Sequence, residues 1–578
     1  MKILCLHVDY VKFRALKKAL KKTKDLNEDE KKEKQVKDAL VVMTAVEKGE
    51  SNVGIAVEKL INEIKNIAEQ VNAKNVVLYP YAHLSKNLSS PETAIKVLEE
   101  AEKKLKKDFK VLRAPFGYYK EFEMKVKGHP LSELSREIEV SGNEVEEEYT
   151  KEDHERLIKR LSKVKMSTQK APGGMKTNIE LGRDLDLYII SEVVGPGLPL
   201  FTPKGATIKR ELERFAIDEE LKRGYLHTDT PIIAKSDLYK ISGHWQHFKN
   251  DMFVLDVNGE KFALRPMTCP FQFVLYKRKP RSFKELPLKY AEIANLFRKE
   301  KSGELRGLTR VWQFKLADAH LICTPEQLEG EFEGVLDLIK YCMEKVGLNE
   351  NDFWYRFSKW DPNDKKEKYI QNPKAWRSSE AMMKKILDKL RLKYVEAKGE
   401  AAFYGPKLDV QYKDVFGKED TMFTIQIDFA LPEKYDMTYR DKDNKDKRPM
   451  IIHRSSIGAP ERLIACLLEK NQGNLKTWLS PVQVKILPMT NKNLEYAKKV
   501  FSKLKENNIR VEINERNESI GKRVRDTLVQ KVPYIITVGD KEEKDKSLAI
   551  RVRGDKKLIN KGVDDFVEEL KKEISERL

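Results

Sequence analysis

The spacing of apolar and polar positions changes period several times along the chain, and each change marks an element. Lys2 to Val8 reads as a strand, Asn52 to Val71 has apolar residues at helical spacing, and Asn75 to Tyr79 returns to a strand. Pro91 to Lys107 is a second amphipathic helix, started by Ser89–Ser90. Lys110 to Lys127 is strand-like around a turn at Pro115–Phe116–Gly117. Residues 1–145 thus predict a small α/β domain. Its polar clusters fall at strand ends: His83 in YPYAHLS, Tyr119 and Lys120 in APFGYYK, and Glu133 in KGHPLSELSR. Such positions are where α/β folds place sites, although each residue taken singly is better explained by a structural role.

From Val140 to about Gly195 the period is lost. An acidic run, a polar helix and the loop-like KMSTQKAPGGMKTN predict a connection over 146–195. Phe201–Gly205 opens a long amphipathic helix through Lys222, and a strand follows around Leu226 to Ile233, with Pro231 inside it. Leu296 to Cys323 reads as a hairpin whose polar turn runs from Glu300 to Gly307. Ile451 to Glu469 is a strand, a turn at Gly458–Ala459–Pro460, and a helix with Glu461 and Arg462 in its first turn. Beyond Pro481 the order is β–α–β–α–β–β: strands at Val482 to Leu487, Val511 to Ile513 and Tyr534 to Val538, helices at Asn491 to Glu506 and Ser519 to Lys531.

Length narrows the picture further. A chain of 578 residues is too long for one core and implies roughly three or four domains. Stretches of eighteen apolar residues and a signal-like amino end are both lacking, so a soluble cytoplasmic protein with no membrane partner is expected. The five cysteines (Cys5, Cys269, Cys323, Cys342, Cys466) are scattered without CxxC pairing, which argues against a disulfide framework. The net charge of +19 favours a polyanionic partner. A thermophile-like Lys/Glu surface explains the density of charge but not its sign.

The hairpin concentrates the chemistry. It is expected to put Arg298 and Glu300 on one strand, with Arg310, Phe314, Asp318 and His320 on or just after the next. That combines a bidentate cation for phosphate, a carboxylate that accepts from an exocyclic amine, and an aromatic face for a base. Arg–x–Glu, a loop, a second Arg and a Phe four residues on resemble motif 2 of the class II aminoacyl-tRNA synthetases. The helix–strand with Pro231 resembles motif 1, the dimer interface of that class, and Gly458–x–x–Glu461–Arg462 resembles motif 3. Ser242 to Phe253, SGHWQHFKNDMF, matches threonyl-tRNA synthetases. The three polar segments of 1–145 resemble the editing domain of the archaeal members, related in fold to D-aminoacyl-tRNA deacylases. Residues 481–578 look like a class IIa anticodon-binding domain.

The resemblance implies a multidomain α/β and α+β protein: an editing domain over 1–145, a linker over 146–195, a class II antiparallel-sheet catalytic core over 196–480, and an anticodon-binding domain over 481–578. It implies a homodimer that joins threonine to tRNA(Thr) with ATP and Mg²⁺. Cys269, His320 and His453 resemble the family's Cys/His/His zinc site; their sequence separations alone say nothing, and each singly reads as a core residue. Three ligands leave Zn²⁺ an open position. His244 and His247 are not ligands in that family and are expected to be structural. By the same resemblance Arg298 holds the α-phosphate, Glu300 reads the adenine amine, Phe314 stacks on the base, and Arg310 and Arg462 attend the other phosphates. Asp318, Tyr404, Lys407 and Gln426 line the threonine pocket, and Asn517, Glu542 and Arg551 match anticodon-reading positions. Leu316 and Thr421 stand where bacterial members commonly carry glutamine, which leaves magnesium and ribose contacts unassigned.

The zinc site that the resemblance implies would reject valine, which has no oxygen to offer. Serine lacks only a methyl, a difference of about 1–3 kcal/mol, too little for translation, so a separate hydrolytic site is expected. The histidine pairs spaced HxxxH that bacterial editing domains use are missing, which leaves the task to residues 1–145, with His83, Tyr119, Lys120 and Glu133 as candidate groups. Two other readings compete. A synthetase for proline, serine or histidine is opposed by Cys269/His320/His453 and SGHWQHF, and a non-catalytic tRNA-binding regulator by the intact Arg298, Glu300 and Arg462.

Overall fold

A computed structural model describes residues 1–20, 23, 25–48, 53–138, 151–161, 171–364 and 368–578. They form two compact units, 1–155 and 156–578. The acidic run and most of the KMSTQKAPGG loop expected in the linker lie outside the described residues, as does Asn52 at the expected start of the first helix.

The first unit is one mixed sheet with two helices on a single face. Its elements are β1 (Lys2–Lys18), β2 (Lys34–Ala45), α1 (Val53–Gln70), β3 (Asn75–Pro80), α2 (Pro91–Leu105), β4 (Lys110–Arg113), β5 (Tyr118–Val126) and β6 (Glu133–Glu137). The strand order is β4-β3-β2-β1-β5, and β6 pairs with the start of β1. The first strand runs well beyond the expected Val8, because it pairs with β2 as far as Phe13 and with β5 as far as Lys18. Helix α1 buries Val57, Leu60, Ile61, Ile64, Ile67 and Ala68, the stripe that its 3.6 period sets, against Ile3, Cys5, Leu40, Val42, Val76 and Leu78 of the sheet. Helix α2 is capped by Ser90, whose Oγ accepts from the Thr93 amide at 3.2 Å, with Pro91 in the first turn. The other face carries Val8, Val11, Phe13, Val41, Val77 and Tyr79.

The second unit is built on an eight-stranded sheet. Its elements are α3 (Pro203–Lys222), β7 (Leu226–His227), α4 (Cys269–Lys277), β8 (Leu288–Phe297), β9 (Gln313–Cys323), α5 (Leu328–Val346), β10 (Phe353–Lys359), β11 (Tyr394–Lys398), β12 (Lys407–Lys413), β13 (Glu419–Asp428), β14 (Met450–Ser455) and α6 (Pro460–Asn471). The order is β11-β10-β12-β13-β14-β9-β8-β7, antiparallel except at its two edges. Alternation divides the strands: Ala317, Ala319, Leu321, Ile425, Ile427 and Ile452 pack into one core with α3, α5 and α6. Residues 314, 316, 318 and 320 face the other way and line a cleft.

Three expectations differ from this unit. Arg298 and Glu300 stand just past the end of β8, and Arg310 precedes β9, so all three sit in the connection rather than on strands. The strand expected over 226–233 is two short pieces, Leu226–His227 and Ile233–Lys235, since Pro231 has no amide hydrogen for a ladder. The end of the 146–195 segment is part of the core: Leu181, Leu187 and Tyr188 are buried in it, and Asn178 donates to Glu469 at 2.6 Å.

The carboxy-terminal part is a five-stranded sheet. Its elements are β15 (Val484–Pro488), α7 (Leu494–Glu506), β16 (Val511–Ile513), α8 (Ile520–Val529), β17 (Tyr534–Val538), β18 (Ser547–Val552), β19 (Leu558–Gly562) and α9 (Val563–Glu576). Strand order is β16-β15-β17-β18-β19; the expected β–α–β–α–β–β succession is present, and β19 and α9 extend it.

Candidate active site

Strand register assembles the site. Lys407 pairs with Gln426, Gln426 with His453, and His453 with His320, so one row across four adjacent strands sets these side chains on one face. Asp318 and Phe314 continue that face along β9. Above the row opens a cleft of about 690 Å³, lined also by Cys269, Arg298, Glu300, Arg310, Tyr404 and Arg462, and by Leu316 and Thr421. Gly458 closes the turn before α6 at φ +66°, where a Cβ would lie 2.5 Å from the Met422 carbonyl oxygen.

The arginines come from loops that the sheet holds fixed. Arg298 lies over the ring of Phe314 at 5.2 Å, its amide donates to Trp312 O at 2.9 Å, and its Nε donates to Pro266 O at 3.2 Å. Arg462, in the first turn of α6, donates to Thr421 O at 2.7 Å and to Thr309 O at 3.1 Å. Arg310 is paired with Glu304 at 3.1 Å and lies 3.9 Å from Glu300. Burial raises the Glu300 carboxyl above its ordinary range, against the pull of Arg310 and Arg298. Arg306 ties this connection down through Asp414 and Asp420. Buried Glu461 accepts from the Lys315 amide at 3.1 Å and from the ammonium of Lys209 on α3, which joins α6 to β9 and α3. The arrangement can compensate phosphate charge and sandwich a flat ring.

At the other end of the cleft, ligand atoms of Cys269, His320 and His453 lie within 4.8 Å of one another, all buried. Burial pushes the Cys269 thiol well above its ordinary value, and it pushes His320 well below. A soft thiolate with two neutral imidazoles fits a divalent metal such as zinc, whose charge would offset what burial disfavours. Tyr404 stacks on His453 at 4.7 Å and donates to Gln426 Oε1 at 2.6 Å. Burial raises Asp318 to about 6, opposed by His453. Lys407 pairs with buried Asp409 at 3.2 Å. His244 is buried against Ser242 Oγ at 2.7 Å and lies outside the ligand cluster, as expected. Sequence reading passed over Asp428 and Gln272, which bond the two histidines. Their signal was spacing: Gln272 follows Cys269 by one helical turn, and Asp428 follows Gln426 by one strand period.

In the first unit, His83 is exposed in the single turn Ala82–Leu84, its ring 5.3 Å from Tyr81, and Tyr81 lies 6.3 Å from Tyr79. The Lys120 ammonium is 5.1 Å from the Tyr79 ring and donates to Pro115 O at 2.9 Å and Tyr118 O at 3.1 Å. Burial lowers its pKa to about 8. These contacts join His83 and Lys120. Tyr119 has Lys17 over its exposed ring, and Glu133 opens β6 opposite Leu6, toward the far end of β1 from Lys120's partner Ala15. In the carboxy-terminal part, Asn517 is exposed in the loop before α8, and Arg551 sits on β18 opposite Ile535. The Glu542 carboxylate accepts the Gly539 amide at 2.9 Å, so it caps a short helix.

This antiparallel sheet, with Arg298 and Arg462 lining its cleft, defines the core of a class II aminoacyl-tRNA synthetase. The profile of the tRNA synthetase class II core domain (G, H, P, S and T) matches residues 248–471. The Archaea-specific editing domain of threonyl-tRNA synthetase matches 1–138, and an anticodon binding domain matches 483–573. The chain belongs to the threonyl-tRNA synthetase family. A threonine–tRNA ligase of Clostridium botulinum is 53% identical over 399 residues, 68% of this chain and 62% of that one. The Halalkalibacterium halodurans ligase is 45% identical over 396 residues, 68% and 61% of the two chains. The chain thus spans less than two thirds of the length of these relatives. Among solved structures, the RNA binding domain of threonyl-tRNA synthetase from Cryptosporidium parvum superposes with a TM-score of 0.65 at 32% identity, covering 69% of this chain and 98% of that one. A threonyl-tRNA synthetase from Aeropyrum pernix gives 0.60 at 27% identity, covering 70% and 97%.

Proposed function

We propose that the chain is a threonine–tRNA ligase that activates threonine with ATP and Mg²⁺ and transfers it to tRNA(Thr). The observation that carries this is the meeting, in one cleft, of the Cys269/His320/His453 cluster with Arg298, Phe314 and Arg462. Arg298 and Arg462 compensate charge at the phosphates, with Arg310 released from Glu304 to join them. Phe314 stacks on adenine, and Glu300 accepts from its amine. Cys269, His320 and His453 would hold Zn²⁺, which would supply an electrophilic centre for threonine. Asp318, Tyr404, Gln426 and Lys407 orient the amino acid from the same face.

Residues 1–145 then clear serine from mischarged tRNA(Thr), with Lys120 and His83 nearest the reacting ester and Tyr119 and Glu133 at the margins. Residues 481–578 hold the anticodon, through Asn517 and Arg551 with Glu542 shaping the loop. The exposed Leu221, Leu226, Ile232 and Ile233 beside edge strand β7 fit a homodimer face. No helix among the described residues is long and apolar enough to cross a membrane; the cytoplasmic setting follows from the proposed reaction, not from that absence. The test is charging of tRNA(Thr) with labelled threonine. Formation of threonyl-tRNA supports the reading, and stable accumulation of prolyl- or valyl-tRNA instead would refute it.

A further inference from the structure

The two imidazoles of the metal cluster are each committed at one nitrogen, and at different ones. His320 Nδ1 lies 2.6 Å from Gln272 Oε1, an atom that only accepts, so Nδ1 carries the hydrogen. The amide of Gln272 is itself fixed: its Nε2 donates to Thr228 Oγ1 at 2.9 Å. That hydroxyl in turn faces the acceptors Ala291 O and Glu292 Oε2, each at 3.2 Å. His453 Nε2 lies 2.8 Å from Asp428 Oδ2. The other oxygen, Asp428 Oδ1, accepts the amides of Ala430 and Leu431 at 2.8 and 2.9 Å, which stops the carboxylate from turning away. Both Gln272 and Asp428 are fully buried.

Resting on the metal reading above, we infer that Gln272 and Asp428 are the positioning residues of this centre and impose opposite tautomers. His320 presents Nε2, and His453 presents Nδ1. A partner on the outer nitrogen of a metal-binding histidine sets ring orientation and basicity. Here the partners are unequal. Asp428 is a carboxylate, so it adds negative charge beside the cation; Gln272 orients His320 without charge. The arrangement is asymmetric although the two histidines occupy paired positions of one ladder.

Asp428→Asn separates orientation from mere contact. Its oxygen keeps the Ala430 and Leu431 amides, so its NH₂ meets His453 Nε2 and drives the hydrogen onto Nδ1, the nitrogen the metal needs. Gln272→Met removes the acceptor at similar volume. The measurement is the Zn²⁺ dissociation constant of the full chain and both variants, by competition with a chromophoric chelator. Melting of the zinc-free forms checks the fold. We expect Zn²⁺ to bind about 10–100-fold more weakly in each variant, with Asp428→Asn the weaker. Nitrogen spectra of the unmodified, zinc-loaded chain labelled at histidine are expected to show one ring bound through Nε2 and one through Nδ1. Affinity within about two-fold of the unmodified chain in both variants, or the same nitrogen bound in both rings, would overturn the inference. An unmodified chain that takes up no stoichiometric Zn²⁺ would overturn the metal reading and this inference with it.

Discussion

His320 and His453 occupy paired positions of adjacent antiparallel strands, and their rings stand perpendicular with centroids 4.5 Å apart. Nothing but strand register brings them together, and α4 delivers Cys269 to the same point. The thiol is the one ligand of the three that becomes an anion. Cys269→Ser replaces it with a hydroxyl that does not ionise near neutrality, so Zn²⁺ content is expected to fall and threonine activation with it, while the chain stays folded. Metal analysis beside pyrophosphate exchange checks this. Full activity in the metal-free variant would contradict it.

The Arg298 guanidinium donates to Pro266 O and lies over Phe314, and its main-chain amide is fixed to Trp312 O, so it meets a phosphate with little reorganisation. Preorganised donors of this kind are worth about 2.7–4 kcal/mol at a transition state. Arg298→Ala is therefore expected to slow adenylate formation by about 10²–10³ with little change in melting temperature. An unchanged exchange rate would remove Arg298 from the phosphate.

Much of this was legible in sequence. The strand, turn and helix around Gly458 stand where the period changes, whereas Arg298, Arg462 and the Cys269/His320/His453 set were named by family resemblance, and the structure brings them to one cleft. The central strand β2 carried no such mark: Ala39 to Met43 is a continuous apolar run, buried on both faces between β1 and β3. Gln272 and Asp428 escaped for a different reason. Their partners lie far away in sequence, and only the ladder shows that His453 reaches Asp428. The hairpin window began late, at Leu296, since β8 starts at Leu288, within a stretch whose alternation is blurred by Ala291 and Ala294.

Burial sets Lys120 at about 8, below an ordinary lysine. The folded chain thus sheds this proton before the unfolded chain does. Stability is reduced by this group below about pH 8 and recovers as pH rises toward the ordinary lysine range. Editing that uses the ammonium runs the other way: hydrolysis of Ser-tRNA(Thr), corrected for spontaneous loss, is expected to fall as pH rises through about 8. Lys120→Met is expected to abolish it at every pH. A flat profile, or an active Lys120→Met, would count against Lys120.

Asn517 is exposed before α8, so replacing it leaves the core of its domain untouched. Asn517→Ala in the full chain is expected to raise the KM for tRNA several-fold and leave the KM for ATP and threonine unchanged. Steady-state charging separates the two, and equal KM values for tRNA would withdraw Asn517 from the anticodon.

The central claim is that one cleft joins an amino acid selected by metal to ATP held by arginine. ATP–pyrophosphate exchange in the zinc-loaded chain, run with threonine, serine, valine and proline, tests it most directly. Threonine is expected to support exchange best, and serine to follow within about 10–200-fold, since one methyl separates them. Valine and proline are expected at background, because neither offers the metal a hydroxyl. Exchange driven by valine or proline as well as by threonine, or threonine exchange that survives complete removal of the metal, would contradict the account.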